Sequence, residues 1–400
     1  MIKITGRHNT AICHLSTLDA IAREQIETLC NRVEFSDCKI CVMPDAHAGL
    51  GCTIGTTMTI SDKIVPGMVG VDIGCGIEMV RLAEKEIDFT ALDKLIRREI
   101  PSGFAIRKNH HPLNQKIDLK ELHCARLVNF ERARCSIGTL GGGNHFIEID
   151  RADGGALYLV VHSGSRHLGT EVAKHYQDEA YKTLCGGGKR QIEGTIAVLK
   201  AEGRSREIAP AIKALKSPSK DGYPQDLAYV SGKLFDDYLD DMKIVQRFAA
   251  LNRQAMCEII LHGLRLTETD RFTTIHNYID IKTMILRKGA VSAKRGERLL
   301  IPLNMRDGGL ICVGKGNDDW NQSAPHGAGR LMSRSQALKT LSMDEYQAGM
   351  QSIFTTSVTR RTLDESPMAY RSIDEITSHI ESTAEIVARM RPVYNFKAND

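Results

Sequence analysis

What most limits the folds open to this chain is a feature that recurs along it. A short apolar run breaks on glycine and delivers an acid, a thiol or an imidazole. The segment Val65-Pro66-Gly67-Met68-Val69-Gly70 leads into Val71-Asp72-Ile73-Gly74-Cys75-Gly76, which spaces an acid and a thiol three residues apart among glycines. Glycine reaches backbone conformations closed to other residues and lets a chain come close to a ligand. The stretch therefore reads as a tight strand-to-loop turn with two candidate metal ligands. An isolated Asp-x-x-Cys specifies little, because free cysteines are mostly small buried hydrophobes. Here the pattern repeats. Ile40-Cys41-Val42-Met43 ends on a polar loop with Asp45 and His47. Gly141-Gly142-Gly143 is followed by Asn144-His145. Leu157-Tyr158-Leu159-Val160-Val161 ends on His162-Ser163-Gly164-Ser165-Arg166, Phe272-Thr273-Thr274-Ile275 ends on His276-Asn277, and Ala324-Pro325 precedes His326-Gly327-Ala328-Gly329-Arg330.

Apolar runs of this length suit buried strands, and strand ends are common places for catalytic groups. Further strands are expected at 53–60, 78–82, 146–150, 299–303 and 310–313, the last two around a turn at 304–309. Helical spacing predicts helices over 18–29 and over 88–100, the latter stopped by Pro101. It also predicts a long helix over 226–264 with Met242, Val245, Ala249, Met256 and Ile260 on its apolar face. Another helix is expected from about Arg330. A C-terminal helix is expected from Ser372, with Ser372 and Glu375 as a capping box and Ile373, Ile376, Ile380, Val387 and Met390 facing the core, until Pro392 stops it. The mixture predicts an α/β (α+β mixed) fold.

The chain has 400 residues, 42% hydrophobic and 26% charged, with no repeat and no low-complexity linker. One large domain over 1–400 is the expectation. The 11 cysteines are odd in number and follow no framework, which suits free thiols or metal ligands in a reducing cytoplasm. Met1-Ile2-Lys3-Ile4-Thr5-Gly6 lacks the apolar core of a signal peptide, and no run of about 18 apolar residues predicts a membrane span. The formal charge of +4 permits a polyanionic partner without demanding one.

Taken together, Asp72, Cys75, His145, His162, His276 and His326 are more donors than one ion needs. Thiolate, imidazole and carboxylate suit a borderline metal, zinc included, and a thiolate can bridge two cations. The glycine loops at 141–143 and 327–329 bare backbone N–H groups that suit phosphate, and an imidazole beside a bound nucleotide is a candidate nucleophile. His110-His111-Pro112 reads as a solvated loop rather than a metal site. From 186 to 224 the texture shifts to a basic helical insertion. Lys189, Arg190, Lys200, Arg204, Arg206, Lys213, Lys216 and Lys220 outnumber Glu193, Glu202 and Glu207 there. The insertion reads equally as a solvated element or as a phosphate-facing arm.

The order of Met43-Pro44-Asp45-Ala46-His47, Asp72-Ile73-Gly74-Cys75-Gly76, Gly138-Thr139-Leu140-Gly141-Gly142-Gly143-Asn144-His145-Phe146, His162-Ser163-Gly164-Ser165-Arg166, Asp241-Met242, Ala250-Leu251-Asn252-Arg253, His276-Asn277 and His326-Gly327-Ala328-Gly329-Arg330 resembles the RtcB family of GTP-dependent RNA ligases. The resemblance runs from about Met43 to Lys397. It implies a large domain with mixed sheets around a buried dinuclear cleft. Asp72, Cys75 and His145 would hold one Mn2+, and Cys75, His162 and His276 the second. His326 would be the catalytic nucleophile and carry GMP. Asn144, His145, Phe146, Ile147, Glu148, His276, Asn277, Pro302, Asn304, Met305, Asp307, His326, Gly327, Ala328, Gly329 and Lys397 would form the guanylate site. The implied reaction joins an RNA 3′-phosphate or 2′,3′-cyclic phosphate to a 5′-hydroxyl, with GTP as the second substrate and an activating protein as a candidate partner.

Where the common family form has Pro-Gly-Ser-Met-Gly-Thr, this chain has Pro302-Leu303-Asn304-Met305-Arg306-Asp307. Arg306 could then meet a phosphate and Asp307 the guanine edge. The chain resembles a divergent branch, associated with RNA repair rather than routine tRNA splicing. Two other functions compete with the ligase: a metal-dependent phosphoesterase using water as nucleophile, and a non-catalytic RNA-end binder.

Overall fold

The computed structural model describes residues 1–185, 189–216 and 223–398. Its apolar runs pair into two large sheets. In chain order the strands are β1 (Ile2–Thr5), β2 (Thr10–Cys13), β3 (Ile40–His47), β4 (Ile54–Thr59), β5 (Gly76–Leu82), β6 (Phe146–Ala152), β7 (Leu157–Ser163), β8 (Glu268–Ile275), β9 (Asn277–Asp280), β10 (Ile285–Lys288), β11 (Arg298–Asn304), β12 (Gly308–Gly314), β13 (Phe354–Thr355) and β14 (Ala384–Lys397). The six-stranded sheet runs β1-β2-β3-β4-β10-β9. The eight-stranded sheet runs β8-β5-β7-β6-β14-β12-β11, with β13 beside β14. Only β2–β3 and β13–β14 pair in parallel. The chain passes from one sheet to the other between β8 and β9, and the single residue at that crossing is His276.

The helices that position the site are α1 (Ala20–Cys30), α2 (Phe89–Glu99), α3 (Arg166–Cys185), α4 (Lys233–Leu264) and α5 (Ile373–Ile380). Side-chain alternation explains the layering. Ile147 and Ile149 of β6 join Leu159 and Val161 of β7, and together they pack with Leu92 and Ile96 of α2 and Met256 and Ile260 of α4. On the opposite face Phe146 packs with Ile77, Met79, Val160 and Met390. A larger core joins the first sheet to α1, α3 and the N-terminal half of α4. All five apolar-face residues expected on the long helix are buried. Among the described residues no helix is long and apolar enough to cross a membrane.

Several local expectations shift. β3 continues through Pro44 to His47 instead of breaking at Met43, and its pairing with β4 changes register between Val42 and His47. A proline is tolerated where the ladder is already interrupted. Residues 66–69 form one helical turn, so Cys75 stands at a loop-to-strand junction, just before β5, and not at a strand-to-loop turn. The long helix begins at Lys233, after Gly232, and not at 226. The helix expected from Arg330 begins at Arg334, capped by Ser333, and α3 was not expected at all.

The C-terminal helix is the largest correction. Ser372 caps it as expected, but it stops at Ile380, and Val387 and Met390 lie on β14. Glu385, Arg389 and Arg391 are exposed while Ala384, Met390 and Pro392 are buried, so the period there is two. Pro392 sits at a second register shift, against β6. The insertion carries helices at Lys189–Ala201 and Ile208–Lys216. Gly186, Gly187, Gly188, Ser217, Pro218, Ser219 and Lys220 lie outside the described residues, as do the side chains of Lys189, Arg190, Glu193, Arg206, Lys213 and Lys216.

Candidate metal and nucleotide site

Strand register gathers the site at one end of the large sheet. Ile275 pairs with Gly76, Gly76 with Ser163, His162 with Phe146, and Phe146 with Lys397. These rows bring Cys75, His145, His162, His276 and Lys397 to a common edge, although they lie far apart in the chain. The imidazoles follow one another there. Ring centroids are 5.3 Å apart for His145 and His162, 5.1 Å for His162 and His276, and 5.0 Å for His276 and His326.

Two donor groups form, each with its ligand atoms within 4.8 Å of one another: Asp72, Cys75 and His145, and Cys75, His162 and His276. Cys75 belongs to both. Its Sγ lies 3.4 Å from Nε2 of His145 and 3.4 Å from Nε2 of His162. Asp72 Oδ2 is 3.0 Å from His145 Nε2, and its Oδ1 accepts from the Ser165 N–H at 2.9 Å. Gly164 is required beside it, because a Cβ there would lie 2.1 Å from Asp72 Oδ1. His145 Nδ1 faces the Leu140 carbonyl at 2.9 Å, so Nε2 is the ring nitrogen turned toward Asp72 and Cys75.

The electrostatics suit a cation. Burial, with neighbouring imidazoles, pushes His162 and His276 well below the ordinary histidine range, so both rings are neutral. Burial would raise Asp72, but the hydrogen bond and charge of His145 hold its carboxyl low. Burial and then Asp72 push the Cys75 thiol well up. A bound cation removes such a proton outright, so the donor set fits a divalent metal.

His326 follows a short strand, Ser323–Pro325. Asp45, fully buried on β3, accepts from His326 Nδ1 at 2.7 Å, from the His326 N–H at 3.0 Å and from the Gly327 N–H at 3.1 Å, all on Oδ2. A carboxylate only accepts, so Nδ1 carries the proton toward Asp45 and Nε2 is left with its lone pair. In the sequence Asp45 stands out as a loop acid and as part of Met43-Pro44-Asp45-Ala46-His47, and nothing local ties it to a histidine 281 residues away.

Beside His326 opens a cavity of about 260 Å³. It is lined by Asn144, Phe146, Glu148, Pro302, Asn304, Met305, Gly327, Ala328, Gly329 and Lys397 from the expected guanylate set, and by His47, His162, Arg330, Arg334, Glu365 and Tyr370. Glu148 Oε1 accepts from Asn395 Nδ2 at 2.5 Å; burial raises its carboxyl despite Asn395 and Lys397. Glu365 is the hub of the far wall. It pairs with Lys397, with Arg334 at 2.6 Å and with Arg330 at 3.3 Å, and accepts from the Tyr370 hydroxyl at 2.7 Å. Burial opposes its ionisation, yet Lys397 and Arg334 hold it down at about 2. No sequence signal pointed to Glu365 or Tyr370.

Other expected contacts are placed differently. Ile147 is buried in the core cluster on the sheet face carrying α2 and α4. Asn277 is a strut: its Oδ1 accepts from the Gly289 N–H at 2.9 Å, and its backbone carbonyl from the Gly74 N–H at 2.7 Å. Arg306 and Asp307 pair with each other at 2.8 Å, while Asn304 Oδ1 accepts from both their N–H groups. Seven residues separate His326 from the next helix in the chain, which starts at Arg334. At the surface, His110 does have neighbours: Nε2 lies 2.9 Å from Glu131, whose Oε1 accepts from the Cys135 thiol at 3.4 Å, and His111 caps a short turn through Leu113.

Comparison with known proteins agrees with this arrangement in one direction. The family model described as tRNA-splicing ligase RtcB matches residues 28–129 and 114–398. The chain is 30% identical over 416 residues to the RNA-splicing ligase RtcB of Escherichia coli strain K12, covering 94% of both chains. It is 26% identical to the tRNA-splicing ligase RtcB of Aeropyrum pernix, covering 88% of this chain and 86% of the relative.

Proposed function

The chain belongs to the RtcB family, and from that premise we propose that it is an RNA ligase joining a 3′-phosphate or 2′,3′-cyclic phosphate end to a 5′-hydroxyl end at the expense of GTP. The observation that carries the reading is the continuous row from the shared thiol of Cys75 to the oriented imidazole of His326, beside a cavity of nucleotide size. Asp72, Cys75 and His145 would hold one divalent ion and Cys75, His162 and His276 a second, with manganese the ion implied by the family. Such ions, when bound, neutralise phosphate charge and polarise phosphorus–oxygen bonds.

The chain's own groups account for the rest. His326 Nε2 attacks the α-phosphorus of GTP; a P–N bond forms, the bond to the β-phosphate bridging oxygen breaks, and pyrophosphate leaves. Asp45 keeps the Nδ1 proton in place as the ring becomes cationic. An oxygen of the RNA 3′-phosphate then takes the guanylyl group, freeing His326. The 5′-hydroxyl oxygen attacks the 3′-phosphorus, and GMP departs as the leaving group that a bare phosphate monoester lacks. A cyclic phosphate is first opened by water to the 3′-phosphate. Glu148 and Asn144 suit the base edge, and the glycines at 327 and 329 the phosphates. The whole of 1–400 would act as one ligase unit in the cytoplasm, with the insertion around 186–224 as an RNA-facing arm. An activating protein is compatible with this reading, and no membrane partner is needed.

Incubation with α-labelled GTP tests it. The expected product is an acid-labile, base-stable label on the protein, absent from His326→Ala, together with joining of 3′-phosphate but not 3′-hydroxyl RNA. A phosphoesterase would release phosphate and take no label; an end binder would hold RNA without metal and join nothing.

A further inference from the structure

A second cavity, of about 310 Å³, opens at Asp72 and His145 of the same donor cluster and shares no lining residue with the first, which reaches that cluster at His162. Asp72 and His145 form its inner wall; Phe104, Arg132, Arg166 and His167 form part of the rest. Phe104 is 88% exposed, the highest value among the large hydrophobics of the described residues. Its turn is nevertheless pinned. The Gly103 N–H donates to the Gly141 carbonyl at 2.9 Å, Arg166 Nη2 donates to the Gly103 carbonyl at 2.7 Å, and the Ala105 N–H donates to the Ser102 carbonyl at 3.1 Å. The guanidinium lies so close over Gly141 that a Cβ there would sit 1.6 Å from Nη1. A phenyl ring held on a fixed turn yet left in water contributes nothing to the core. Its face is available to a flat partner, and the neighbouring cations favour an anionic one.

We propose that Phe104 is the stacking platform for the terminal nucleobase of an RNA end, with the phosphate of that nucleotide beside Arg132, Arg166 and His167. This places the RNA terminus and the nucleotide on separate approaches to one metal centre, and it rests on the ligase reading above. Stacking suits the task because every base has a π face, so an end can be seated without regard to sequence. The stacked base belongs either to the 3′-phosphate strand or to the 5′-hydroxyl strand, and the test distinguishes them.

That test is steady-state ligation by the full-length wild type, Phe104→Ala and Phe104→Trp. Two substrate sets are used, with 2-aminopurine at the terminal position of either the 3′-phosphate or the 5′-hydroxyl strand. Loss of one base–aromatic stack predicts a KM for one strand raised at least about five-fold in Phe104→Ala. Phe104→Trp restores it, and quenching of 2-aminopurine at that end falls in the alanine variant. An abasic terminal residue on the same strand makes wild type and Phe104→Ala converge. The strand that responds identifies the end. KM and quenching equal to wild type at both ends overturn the proposal. A wild type that takes no label from GTP and joins no ends overturns instead the ligase reading, and the proposal with it.

Discussion

At the residue scale the site depends on single atoms with more than one role. Cys75 is the one donor common to both groups. Cys75→Ala should therefore lower the content of both ions in metal analysis, whereas His276→Ala should lower one. Equal losses in the two variants would argue against a shared thiolate. Asp45 gathers three donors on one oxygen. Asp45→Asn should slow single-turnover labelling by GTP by on the order of 10²- to 10⁴-fold, as when an imidazole-orienting carboxylate becomes an amide. An unchanged labelling rate and pH profile would leave Asp45 a purely structural residue. Glu365 gives a pH dependence with a definite sign. Its folded-state value of about 2 lies below the ordinary 4.5, so its stabilisation is present above 4.5 and lost as pH falls through about 2. Glu365→Gln should cost about 3 to 4 kcal/mol at neutral pH, at about 1.4 kcal/mol per unit. In denaturant titrations the gap to wild type should close between those two values.

At the element scale, α4 is the beam against which the site loops are set. Asn252 Oδ1 accepts from the Gly138 and Thr139 N–H groups at 2.8 and 3.0 Å, and its Nδ2 donates to the Gly164 carbonyl at 3.0 Å. Arg253 donates through Nη1 to the carbonyls of Gly74 and Ser163 at 2.8 and 3.0 Å. One helical turn thus ties together the loops before β5 and β6 and the end of β7. Asn252→Ala would strand two buried N–H groups. It should cost about 3 kcal/mol by chemical denaturation and weaken metal affinity. Full stability with native metal content would show that the loops hold themselves. The ligand-bearing runs and the apolar face of α4 were legible because short-range periodicity reports them. The end of α5 and the whole of β14 were not. Apolar residues at 376, 380, 387 and 390 satisfy helical spacing, and only pairing with β6 and β12 selects the strand.

At the scale of the whole molecule, the chain crosses between the two sheets at His276, whose ring lies between those of His162 and His326. The insertion is the remaining long-range feature. Replacing Lys213, Lys216 and Lys220 with Gln should reduce the slope of log K for single-stranded RNA against log salt by about 2, at roughly 0.7 per phosphate contact. An unchanged slope would make the insertion a solvated element. By itself the sequence determined which side chains bring chemistry, the local breaks that expose them, and the family to which the chain belongs, because each of these is written in neighbouring residues. Only the tertiary structure decided how close those donors come to one another, that Asp45 is the partner of His326, that Glu365 balances Lys397 and Arg334, and that Arg306 pairs with Asp307. Most of those pairings join positions tens to hundreds of residues apart through sheet register and packing, and such distances leave no periodic trace along the chain.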